Sequence, residues 1–132
     1  GQACREIRRV LKPGGTLIAG TYGSAHMKEI SQLVMEFDDR IVLAAENLYD
    51  RFGKENGAEI LQSVFDQVEW RQYEDAIEID DAEPLISYVL SCHGNQNQYI
   101  AHKYREFRAF MKKKTARGFH ITKDAGIFLA KK

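Results

Sequence analysis

The sequence predicts an α/β chain: a small sheet of three strands with a large helical share. Three observations carry that prediction. The stretch EIRRVLKPGGTLIAGTYG, residues 6–23, sets a helical pattern, a Pro-Gly-Gly turn and a short apolar run in series. Apolar residues recur at helical spacing in four later stretches. Two further stretches, 67–79 and 119–131, are rich in β-branched and aromatic residues, and the second holds the apolar run GIFLA.

Taken in order, residues 3–11 place Ile7, Val10 and Leu11 on one helical face, with Arg5, Arg8 and Arg9 outside. Lys12-Pro13-Gly14-Gly15 ends that helix, because proline cannot continue it and glycine accepts a positive φ. Thr16–Ala19 reads as a buried parallel strand covered on both faces, and Gly20–Ser24 as the loop beyond it. A helix starts at His26 or Met27, with Ile30, Leu33, Val34 and Phe37 inward. Residues 41–52 hold an irregular helical stretch. Residues 55–65 form a helix with Ile60, Leu61, Val64 and Phe65 inward. In the strand at 67–79, Val68 and Trp70 share one parity while Tyr73, Ile77 and Ile79 share the other, which predicts a bulge or bend near Gln72. Asp80 with Glu83 resembles a capping box and opens a helix holding Leu85, Ile86, Val89 and Leu90. HGNQNQ, residues 93–98, reads as a polar loop. A longer helix follows with Ile100, Tyr104, Phe107 and Met111 on one stripe, closed by Gly118. The extended segment 119–131 is expected to turn at Lys123–Gly126.

Of the 132 residues, 44% are apolar and 29% charged, the composition of a globular chain. The 19 basic and 19 acidic side chains cancel, which argues against a nucleic-acid clamp. Lys112-Lys113-Lys114 reads as the solvated end of a helix, where cations suit the dipole. Cys4 and Cys92 form no CxxC and lack a nearby His pair, so no zinc site is expected. Reduced, half-buried thiols fit a cytoplasmic protein. No apolar run has the length of a membrane span, and no stretch of these residues reads as a signal peptide.

The opening stretch, with its helix ending in L-K-P-G-G before a short strand, resembles the back half of class I S-adenosylmethionine-dependent methyltransferases. The similarity is to the group that includes ubiquinone and menaquinone methyltransferases (methyltransferase type 11). On that resemblance residues 16–20 correspond to the fifth strand of a seven-stranded Rossmann-like sheet. VEWRQYEDAIEI is similar to the sixth strand, and FHITKDAGIFLAKK to the seventh. The resemblance implies a mixed sheet and a single domain over 1–132, the carboxyl-terminal portion of a methyltransferase domain, with a helical lid-like insertion at 24–66. The family's glycine-rich loop and ribose-binding acid lie in its first half, and no GxGxG or GxGxxG occurs here. S-adenosylmethionine is therefore expected as the cofactor of a longer parent protein, with no cofactor-binding residue in this chain and no activity of the chain alone.

Ligands of doubly wound sheets lie beyond the carboxyl ends of the parallel strands. That places Thr21 and Tyr22 in the pocket of a small-molecule methyl acceptor, with His26 as a general base. Tyr49 and Phe52 are expected to form a lid over it. The plainer readings are that Tyr22 packs under the next helix, His26 starts that helix, and Tyr49 and Phe52 are ordinary packing. The other function class is a non-catalytic interaction or oligomerisation module that keeps only the back of the fold. In either case an exposed sheet edge at 16–20 predicts a homodimer or larger assembly.

Overall fold

The computed structural model describes all 132 residues. The chain runs α1 (Gln2–Val10), β1 (Thr16–Tyr22), α2 (Lys28–Phe37), α3 (Leu48–Arg51), α4 (Gly57–Gln62), β2 (Gln67–Ile79), α5 (Ala82–Ser91), α6 (Gln96–Ile100), a 3-10 turn (Ala101–Lys103), α7 (Tyr104–Thr115) and β3 (Phe119–Lys131). The strands form one antiparallel sheet in the order β1-β3-β2. β1 and β3 pair from Thr16↔Lys131 to Tyr22↔Ala125.

Several expectations are corrected here. The sheet is antiparallel between neighbours, because the last strand returns between the first two. β1 is an edge strand whose two faces differ: Leu17 and Ala19 pack on a core, while Ile18 is 64% exposed. A run of four or five apolar residues reads alike for either arrangement. β1 also continues through Gly20, Thr21 and Tyr22, where the sequence predicts a loop. β3 is unbroken across Lys123–Gly126, where a turn was expected.

Two compact units divide the chain. The first comprises residues 1–26, 47–75 and 123–132. Leu61, Phe65, Phe128 and Ala130 form its core, with the Trp70 ring 4.6 Å from that of Phe128. α1 contributes Cys4, Ile7 and Leu11, while Val10, expected inward, is 67% exposed. Leu11 is already extended, so the helix stops there. Gly15 N donates to Lys12 O at 2.9 Å, and Gly14 has φ +77°. Proline at the second position and a positive φ at the third make this a type II turn. Lys132 Nζ donates to Arg8 O and Leu11 O, both at 2.7 Å, and so satisfies carbonyls that the end of α1 leaves unpaired.

The second unit comprises residues 27–46 and 76–122. Its core holds Ile30, Leu33 and Val34 from α2, Leu85, Ile86 and Val89 from α5, and Ile100, Phe107, Met111 and Ile121. These are the stripes that helical spacing predicts, with Tyr104 an exposed exception. α2 starts later than expected, because Met27 takes a left-handed φ of 55° and Lys28 is the first helical residue. Asp81, not Asp80, caps α5, its carboxylate accepting from Glu83 N at 3.0 Å. The Glu83 carboxylate binds Arg108 instead of closing a capping box. HGNQNQ is a loop only over His93–Asn95, and its second half is helical. Gln96 opens α6 fully buried, and the Asn95 carboxamide accepts from Val42 N and donates to Arg40 O.

Both long strands change phase. In β2, Val68 and Trp70 pack on the first core, and Ile77 and Ile79 on the second; Tyr73, expected inward, is exposed. In β3, Ile121 belongs to the second core and Phe128 and Ala130 to the first. Each shift falls where the strand passes between units, at Asp75–Ala76 and Thr122–Lys123. Of residues 24–66, 27–46 belong to the second unit and 24–26 and 47–66 to the first. No helix is long and apolar enough to cross a membrane.

Candidate functional site at the carboxyl end of β1

The first unit gathers its polar side chains where β1 ends. After the last ladder pair, Gly23 N donates to Asp124 O at 2.8 Å, and His26 N donates back to Gly23 O at 3.1 Å, closing a turn. Gly23 is buried with the Asp124 and Glu55 carboxylates against it, and a Cβ there would overlap both. Glu55 Oε1 accepts from Ser24 N at 2.9 Å and Ser24 Oγ at 3.1 Å. Those bonds, the backbone one first, hold the Glu55 carboxyl below its ordinary range.

Asp124 is 8% exposed. Its Oδ1 accepts from Lys54 Nζ at 2.8 Å and from Gln72 Nε2 at 3.2 Å, and the Ala25 amide also donates to the carboxylate. The lysine bond is the largest cause that lowers its pKa, against the opposing effect of burial. Lys54 is placed by its own amide, which donates to Tyr22 O at 3.1 Å.

Aromatic rings lie beside this network. The His26 ring sits 5.1 Å from the Tyr22 ring, and Tyr49 meets Tyr22 edge-on at 6.3 Å. His26 Nδ1 accepts from Asp124 N at 3.1 Å. Burial pushes the imidazole pKa below its ordinary value, and the Asp124 charge opposes that shift. The neutral ring with Nδ1 as acceptor carries its hydrogen on Nε2. It therefore offers a donor, and action as a base requires the Nδ1 bond to break.

The structure thus brings Tyr22, His26 and Tyr49 together and sends the other two sequence candidates elsewhere. Thr21 Oγ1 donates to Phe52 O at 2.8 Å, a bond that ties β1 to the segment after α3. The Phe52 ring packs 5.8 Å from Phe128, in the core. Asn56 fixes that segment by donating to Tyr49 O and Asp50 O and accepting from Gly53 N. Sequence reasoning missed Asp124, Lys54, Glu55 and Gln72. The signal for Asp124 was its parity, shared with Phe128 and Ala130 on the inward face of β3.

Lys54 and Gln72 are engaged with the Asp124 carboxylate, and the Ser24 hydroxyl with that of Glu55. No hydroxyl or thiol donates to His26, and no cluster of three metal-ligating side chains is present. Both cysteines are free, and burial pushes the Cys92 thiol up, away from reactivity. A cavity of about 260 Å³ lies at the other end of β1, lined by Thr16, Val68, Glu69 and Lys131 among others. Its carboxylate, Glu69, is paired with Arg71 at 2.9 Å. No family model, curated protein or solved structure matches the chain.

Proposed function

We propose that this chain is the acceptor-side part of an S-adenosylmethionine-dependent methyltransferase acting on a small molecule in the cytoplasm, with the cofactor held by other residues of a longer parent. The observation that carries the reading is the grouping of Tyr22, His26 and Tyr49 at the carboxyl end of the strand that follows the L-K-P-G-G turn. Methyl transfer from a sulfonium asks a protein mainly to align the acceptor and exclude water. Aromatic walls suit that task, and the Nε2–H of His26 would donate to an acceptor oxygen.

The test is transfer of a labelled methyl group from S-adenosylmethionine to small-molecule extracts by the complete product of the reading frame that encodes these residues. Transfer is expected, and Tyr22→Ala should lower kcat/KM by roughly 10- to 200-fold, the range for losing 1–3 kcal/mol of pocket contact. A complete product that transfers no label overturns the reading.

The free edge of β1 favours a second reading, a non-catalytic module that associates by edge pairing into a homodimer or larger assembly. β1 is bonded on one side only and carries the exposed Ile18. Under this reading assembly is the function, and no methyl transfer accompanies it.

A further inference from the structure

We propose that the neutral His26 ring is latched to the Asp124 backbone and that protonation releases the ring, making the aromatic face at the end of β1 responsive to pH. The latch is a single bond with a fixed direction: the Asp124 backbone N–H donates to Nδ1 at 3.1 Å. A backbone amide cannot reverse its role. When Nδ1 gains a proton, two hydrogens face each other and the ring must turn away. It then leaves the Tyr22 ring, which lies 5.1 Å off, and the Asp124 amide loses its partner. The Asp124 carboxylate favours the charged ring.

The two carboxylates at this turn, those of Asp124 and Glu55, stay ionised while His26 titrates. From β3, Asp124 favours the protonated ring and Lys123 disfavours it. Lys123 is itself bound to Asp75 of β2 at 3.1 Å. Before α4, Lys54 engages Asp124, and Glu55 engages Ser24. β2 contributes the neutral Gln72, and β1 and α3 contribute Tyr22 and Tyr49. Both carboxyls titrate below their ordinary values. His26 is the one histidine in the first unit, since His93, His102 and His120 fall in the second. A transition between pH 5 and 7 in this unit therefore belongs to His26.

Burial favours the neutral ring, so the latched state is present above the unfolded-state value of 6.5 and is lost as the pH falls through the lowered folded value. Magnetic resonance of the whole chain tests this. At pH 8 the ring nitrogens should show a hydrogen on Nε2 and a hydrogen-bonded lone pair on Nδ1. As the pH falls below 6.5, the Asp124 amide and the Tyr22 ring signals should move with one midpoint, shared with His26. Amide protection at Asp124 should drop ~5-fold, the loss of one hydrogen bond. His26→Asn supplies an acceptor oxygen that does not titrate, and it should abolish the step at both reporters. A hydrogen on Nδ1 at pH 8, reporters that stay still while His26 titrates, or a step that persists in His26→Asn each overturn the proposal. The first two readouts need no variant to fold.

Discussion

Asp124 is the residue on which the candidate site turns. It is nearly buried, yet it stays ionised because Lys54, Gln72 and the Ala25 amide all donate to it. Lys54 is the largest of these influences, and it lowers the folded-state pKa below the unfolded value of about 3.9. The stabilisation is therefore present above pH 4 and is lost as the pH falls through the lowered folded value. Urea unfolding at pH 7 should show Asp124→Asn destabilised by about 1–3 kcal/mol, from the loss of charge-assisted hydrogen bonds at a buried site. The gap to the wild type should shrink toward pH 2. A gap that is the same at both pH values contradicts this account of Asp124. At this scale the sequence was half legible. Tyr22 and His26 were named from the end of a strand and its following turn, and Tyr49 from the irregular stretch 41–52; the structure places the His26 and Tyr49 rings beside that of Tyr22. Asp124 was hidden because Lys-Asp-Ala-Gly reads as a turn, and one acidic residue among small ones does not reveal that its strand continues. Phe52 went into the core because an aromatic in an irregular stretch carries no sign of which side it faces.

Among the elements, the strands explain what periodicity could and could not reveal. β2 shows its change of phase in the sequence, because Val68 and Trp70 lie on one parity and Ile77 and Ile79 on the other. The change marks a strand that serves two cores in succession. β1 hid its nature because its apolar residues are contiguous and do not reveal a bare face. That face and the free edge lead to a prediction for the element as a whole. Ile18→Lys puts a charge on the exposed side of an edge strand, a device that blocks strand addition. If β1 associates by its edge, light scattering should find the wild type dimeric or larger and Ile18→Lys monomeric, with unfolding stability changed by less than about 0.5 kcal/mol, as for an exposed substitution. A wild type that is monomeric at micromolar concentration contradicts association through β1. Helices were the most legible elements. The stripes of α2, α5 and α7 needed only the 3.6-residue period, and their errors fell at the ends, where Asp81 replaced Asp80 and Met27 delayed the start.

For the whole molecule, sequence patterns reached the α/β class and the three strands but not the division into two units, each built from separated segments of chain. Local periodicity reports which face of an element is buried, not which distant partner buries it. Net charge of zero is consistent with a small-molecule or protein partner rather than a polyanion. At the candidate site the polar side chains bind the Asp124 and Glu55 carboxylates, and the aromatic rings stand beside them. The central claim is that the residues here serve the acceptor while others hold S-adenosylmethionine. The measurement that tests it most directly is a calorimetric titration of S-adenosylmethionine into two proteins, the 132-residue chain and the complete product of its reading frame. The account predicts saturable binding to the complete product and no heat of binding to the chain alone. Saturable binding by the 132 residues, or no binding by the complete product, would contradict it.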